Sequence, residues 1–214
     1  MNQKVLRKSI ILIIIISLVF LIIYKKIEDR ENVHLEEAKI AENIPTEIIE
    51  PLEEEKTYYH IPISHELQDY IRETCEYYDA DMKIILGIMA TESSFRNEVE
   101  SKNNNGKGYS VGIMQLNETY LNWYKELTGL GEEFNIHCVQ HNILGGVLVY
   151  KNYQSQWIAK GYEGDELERL TLLSYNRGVN GTKKYVSRYG YSNSYITKVT
   201  KNKNNIEEED NVQE

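Results

Sequence analysis

From Ser64 to Thr200 the apolar and aromatic residues recur three and four positions apart, and no convincing stretch alternates residue by residue. That period obliges this part of the chain to bury helix faces against one another. Ser64 is placed to cap a helix carrying Leu67, Tyr70, Ile71, Thr74, Cys75 and Tyr78, and Asp81 to cap a second that ends at Glu92. The polar, glycine-containing residues 101–108 read as loop. Asn117 can cap a helix bearing Tyr120, Leu121, Trp123, Tyr124 and Leu127. Further helical patterns cover 139–153, 165–175, 182–189 and 193–200, with glycines at 161, 164, 178, 181 and 190 as joints. The expectation is a mainly α fold, one domain over 61–200, without internal repeat.

The flanks have a different composition. Ile10 to Ile23 is an unbroken Ile/Leu-rich run apart from Ser17, bounded by Lys4, Arg7 and Lys8 on one side and Lys25 and Lys26 on the other. Residues 1–27 therefore read as a single transmembrane helix with snorkelling lysines. Bulky and basic residues follow the run where a cleavage site needs small ones, so the segment is expected to stay as an anchor. The slightly more basic N-terminal side is expected to face the cytoplasm, leaving the bulk of the chain on the outer side of the cell membrane. Residues 28–60 read as an acidic stalk: Glu28 to Lys56 holds eleven acidic and three basic residues, with Pro45 and Pro51. Residues 201–214 read as a disordered tail.

The whole chain carries a formal charge of −9, but the acidic stalk and tail and the basic anchor account for most of it. The folded part is left near neutral, which argues against a nucleic-acid partner. Gly106-Lys107-Gly108 lacks the preceding strand and the spacing of a phosphate loop, so no nucleotide cofactor is expected. Cys75 and Cys138 are compatible with a bridge or with two buried thiols. His137 and His141 stand four apart, as on a zinc-binding helix, yet no Glu follows the first and no third ligand is evident, so no metal is expected.

Glu92 shares a helix face with Ile85, Ile88 and Met89, and that apolar surface should raise its pKa and keep it protonated near neutrality. No Asp or Glu occurs from Ser101 to Asn117. Glu98 and Glu100 sit in a polar context, so the second carboxylate that glycoside hydrolysis normally uses is not evident. The 17 tyrosines, many of them between Tyr150 and Tyr195, suit a core or an aromatic-lined cleft.

Three motifs follow in order: Glu92-Ser93-Ser94-Phe95, Ser110-Val111-Gly112-Ile113-Met114-Gln115-Leu116, and Ser174-Tyr175-Asn176-Arg177-Gly178. In type and spacing they resemble the soluble-lytic-transglycosylase-like domain family of the lysozyme superfamily, over about residues 65–200. Asn142-Ile143 with Gly145-Gly146 and Tyr150 is similar to that family's Asn-Ile helix. The Asp-Pro that usually precedes it is absent, with His137-Cys138 near its place, and the third motif departs from the family's Ala-Tyr-Asn-Ala-Gly at two positions.

The resemblance implies a lysozyme-like catalytic domain in which Glu92 is the acid and base. It places Ser110, Met114 and Gln115 beside the sugar subsites and Tyr175 and Asn176 in the active-site wall. It implies peptidoglycan glycan strands as partner, cut without water between N-acetylmuramic acid and N-acetylglucosamine to leave 1,6-anhydro ends, with no cofactor. Cell-envelope machinery is a further possible partner. A goose-lysozyme-like hydrolase and a glycan-binding or assembly protein without turnover remain as alternatives.

Overall fold

The computed structural model describes residues 57–208 except 104, 105 and 107. The expected anchor, nearly all of the stalk and residues 209–214 lie outside the described residues. Among the described residues no helix is long and apolar enough to cross a membrane. They form a mainly helical domain with six α-helices: α1 (His65–Tyr77), α2 (Met82–Glu92), α3 (Leu121–Thr128), α4 (Val139–Ile158), α5 (Gly164–Tyr189) and α6 (Ser194–Asn204).

Local chemistry sets the helix starts. Ser64 accepts from the Leu67 N–H at 3.3 Å, Asp81 from Ile84 at 3.1 Å and Asn193 from Tyr195 at 2.8 Å. Asn117 caps a short 3-10 turn, Glu118–Tyr120, that leads into α3. The most apolar helix is α2: Ile84, Ile85, Leu86, Ile88 and Met89 are all buried, so it runs through the core rather than over it. Around it pack Ile71 of α1, Ile143 and Tyr150 of α4, and Leu172 and Leu173 of α5.

The expectation of no strands is corrected by a small antiparallel sheet, β1 (Glu100–Lys102), β2 (Tyr109–Val111) and β3 (Leu116–Asn117), in that order. Ser101 pairs with Ser110, and Ser110 in turn with Asn117. Strands of two or three residues are shorter than the repeat by which alternation is recognised. The loop expected at 101–108 therefore begins only after Lys102.

Over residues 201–208 the expected disordered tail is also corrected. Helix α6 continues to Asn204, Ile206 is buried, and Tyr59 bridges Glu208. The His60 N–H donates to the Glu207 carbonyl at 3.0 Å. Tyr59 is itself buried, and its backbone N–H and C=O both bond the side chain of the fully buried Gln68. The domain thus includes residues before 61, and the compact unit that contains it starts at Lys56.

Helix α5 is broken at Gly178, whose φ of 69° and ψ of 161° are not helical. A buried polar chain spans the break: Trp157 Nε1–H donates to Ser174 Oγ at 2.9 Å, and Ser174 Oγ–H to Thr182 Oγ1 at 3.2 Å. It ties both sides of the break to Trp157 of α4.

Candidate active site

Glu92 is the last residue of α2, half-buried where the central helix reaches the surface. Desolvation raises its pKa from 4.5 to about 7, and a hydrogen bond from Tyr195 opposes part of that rise. Tyr195 Oη–H donates to Glu92 Oε1 at 2.7 Å. It comes from the first turn of α6, which runs back along α2 from this contact to the ion pair of Lys203 with Asp81 at 3.9 Å. Burial and the Glu92 charge push the Tyr195 and Tyr175 phenols well above their ordinary range, so both remain protonated donors.

After Glu92 the chain leaves the helix through Ser94 and Phe95, both with positive φ. Buried Ser93 directs its hydroxyl at the Ile113 carbonyl, 2.8 Å away, and at the Met89 carbonyl, 3.2 Å away. That ties the end of α2 to the β2–β3 turn. The turn in turn hangs on Asn142, which is fully buried in α4. Its Oδ1 accepts from the Met114 N–H, and its Nδ2 donates to the carbonyls of Val111 and Ile136, each at 2.9 Å. Gly112, at φ 80°, lies so near this amide that a Cβ would sit 2.5 Å from Asn142 Nδ2. Only glycine meets both demands.

The expected site residues fall into two groups. Tyr175 joins Glu92 at the site: its hydroxyl donates to the Met114 carbonyl at 2.9 Å, and its phenol feels the Glu92 charge. Gln115, at φ 49°, bonds inward with its amide, donating to the carbonyls of Val99 and Gly112 at 2.9 Å and accepting from Ser101 Oγ at 2.6 Å. Ser110 donates to Asn103 Oδ1 at 2.7 Å. Asn176 is exposed beside Arg177, from which its Oδ1 accepts at 3.3 Å.

Met114 departs from the placement expected of a sugar contact. Its side chain is 0% exposed and packs on Gly146, where a Cβ would come within 2.5 Å of its Cε. A thioether so enclosed serves the core, and what Met114 offers the site is its carbonyl, held by Tyr175.

Tyr195 and the tie made by Asn142 were missed by sequence reasoning. Tyr195 stands 103 residues from Glu92, and its only local mark is its place in the first turn of a capped helix.

The other candidate groups have separate partners. His141 Nδ1 accepts from the Asn135 N–H at 3.1 Å, and its ring stacks on Phe134, whereas His137 Nδ1 lies 3.5 Å from Glu100. Among the described residues no group of His, Cys, Asp and Glu is placed to hold a metal. Cys75 is buried and Cys138 half-buried, and both are free thiols. Glu98 and Glu100 are exposed. A hollow of about 760 Å³ between α5 and α6, lined by Asp165, Glu168, Arg169 and Asn193 among others, includes neither Glu92 nor Tyr175. Concavity and proton chemistry do not coincide there, and the chemistry is the stronger guide. A carboxyl protonated near pH 7 and held by a phenol can deliver a proton to a substrate oxygen and then recover one.

Among solved structures, the chain is similar to an inactive mutant of the lytic transglycosylase Slt from Pseudomonas aeruginosa, with 15% identity and a TM-score of 0.49. The likeness covers 65% of this chain and 22% of that one, so the chain spans about a fifth of that neighbour's length. No curated protein matches. The model of the family described as "Transglycosylase SLT domain" matches residues 69–197, more than half of the chain; the chain belongs to that family.

Proposed function

We propose that this protein is a peptidoglycan lytic transglycosylase, with Glu92 as its single acid and base. The observation that carries the reading is the desolvated Glu92 carboxyl, near pKa 7 and hydrogen-bonded to Tyr195. It donates its proton to the oxygen bridging N-acetylmuramic acid and N-acetylglucosamine, and the C1–O bond breaks as that oxygen leaves as a hydroxyl. The resulting carboxylate then takes the proton of the muramyl C6 hydroxyl, whose oxygen bonds to C1 and closes the 1,6-anhydro ring. No water is consumed. The internal hydroxyl acts at high effective concentration, so one carboxyl suffices. Ser110 and Asn176 border the strand, with Gln115 and Tyr175 holding the turn and wall around it. The membrane segment at residues 1–27 and the acidic stalk tether the domain outside the cell membrane, against the wall.

Mass spectrometry of muropeptides released from purified peptidoglycan by the full chain and by Glu92→Gln tests this. Anhydromuramyl ends are expected, falling about 10³-fold or more in the variant. Reducing muramyl ends would replace the reading with hydrolysis, and glycan binding without release would replace it with a non-catalytic role.

A further inference from the structure

From Leu170 to Ile206 the chain carries seven Lys and Arg and no Asp or Glu. Part of that charge is gathered around the second half of α5. Arg177 is one of the two departures from the family's Ala-Tyr-Asn-Ala-Gly, so its role belongs to this chain rather than to the motif. Its side chain lies over Gly181, where a Cβ would come within 3.2 Å of Arg177 Cβ. Its guanidinium sits 4.3 Å from the centroid of the Tyr185 ring and donates to Asn176 Oδ1 at 3.3 Å. The Tyr185 hydroxyl donates to the Ser192 carbonyl at 2.8 Å, which fixes that ring. Tyr189 follows at 5.1 Å between centroids, and the Arg188 guanidinium stands 5.9 Å over Tyr189. Arg, Tyr, Tyr and Arg thus form a connected row, with Lys184 one turn before Arg188.

The row is open to solvent and its charge is not neutralised. Arg177, Lys184 and Arg188 are exposed, and Tyr189 is 60% exposed. Among the described residues none of these three cations is in an ion pair, whereas Lys203 of α6 is held by Glu168 and Asp81. Like charges so close repel, and an anion lying across them relieves that repulsion. A guanidinium grips a phosphate or a carboxylate through two oxygens. The rings decide between the two, because their faces pack on C–H groups. In a polyol phosphate, anions and C–H groups alternate along one backbone, so a single extended chain meets guanidinium, phenol faces and guanidinium in turn. An acidic peptide carries its charges on side chains, away from its backbone.

We propose that Arg177, Lys184, Tyr185, Arg188 and Tyr189 form a docking face for a linear polyol-phosphate polymer of the cell wall, which holds the domain where such polymers and glycan strands meet. This rests on the glycan-cleaving reading above only for its place at the wall, since docking requires no bond to be cut.

The test is titration of the full chain with fluorescently labelled poly(glycerol phosphate), read by anisotropy. Binding is expected to weaken about 10-fold or more between about 50 and 200 mM NaCl, as release of counterions from several phosphates dictates. Arg177→Ala with Arg188→Ala should weaken it about 10-fold or more, two charge-assisted contacts being lost. Lys102→Ala with Lys160→Ala removes the same charge elsewhere and should change it by about twofold or less. Arg177→Lys with Arg188→Lys keeps the charge but loses the planar fork, and should still weaken binding by about threefold or more. Absence of binding, an equal loss in the two alanine pairs, or native affinity in the lysine pair would overturn the docking face. Tighter binding of charge-matched poly-glutamate or single-stranded oligothymidylate would overturn the polyol phosphate as its occupant. Displacement by dihexanoyl-phosphatidylglycerol at equal phosphate concentration would do the same in favour of a lipid headgroup. Polymer binding by a chain that releases no muropeptides would support the docking face and overturn the catalytic reading alone. Muropeptide release without polymer binding would do the reverse.

Discussion

Glu92 combines two demands that normally conflict, a proton held at neutral pH and a position within reach of solvent. Desolvation at the end of α2 supplies the first, and the Tyr195 bond, which favours the ionised form, moderates it. In its proposed role as general acid Glu92 must be protonated, so the cleavage rate is expected to fall about tenfold per pH unit above about 7. Tyr195→Phe removes the bond that lowers this pKa. The falling limb of the pH–rate profile should then move to higher pH. A limb that stays in place would show that the bond does not tune the acid. Stability follows the same titration. Unfolded Glu92 loses its proton near 4.5 and folded Glu92 near 7. Between these values the folded state binds more proton, so stability falls as pH rises through the window. At pH 8 the penalty is on the order of 3 kcal/mol. Glu92→Gln, which cannot ionise, should melt higher than the native chain at pH 8 and close to it at pH 4. An equal difference at the two pH values would refute the buried-carboxyl account.

Among the elements, the β2–β3 turn shows how a short motif is held rigid. Asn142 satisfies one N–H and two carbonyls, two of them in the turn and one at Ile136, in a site with no access to water. Asn142→Leu keeps the approximate volume but leaves those three groups unpaired, at a cost of about 3 kcal/mol or more. Urea denaturation should show that loss, and activity should drop with it because the Met114 carbonyl that holds Tyr175 is freed. An unchanged midpoint would mean that the turn is held by other contacts. The break in α5 works by a similar device, with Trp157, Ser174 and Thr182 joined across Gly178.

For the domain as a whole, residues from both ends of the described segment close over the helical core. Tyr59 and His60 meet Glu207 and Glu208, Ile206 is buried beside them, and Lys83 pairs with Glu208 at 3.3 Å. Asn202 donates to Thr91 Oγ1 at 2.9 Å, next to Glu92. Ending the chain after Thr200 should therefore cost about 3 kcal/mol or more, most of it from Ile206 and the last turns of α6. Thermal melts of the shortened chain check this, and a melting temperature equal to that of the full chain would show that residues 201–208 contribute nothing to the fold.

The sequence by itself determined what depends on neighbours a few residues apart. Helix faces repeat every three or four positions, and Ser64, Asp81, Asn117 and Asn193 cap within two or three residues. The motif residues Glu92 and Tyr175 announce themselves by type and order. Strands two or three residues long carry too little pattern to be seen, and a polar tail conceals the burial of a lone Ile206. Met114 reads equally well as cleft or core until Gly146 is found beneath it. The pairing of Glu92 with Tyr195 was decided by tertiary structure alone, because a hydrogen bond across 103 residues exists only once α6 has packed along α2.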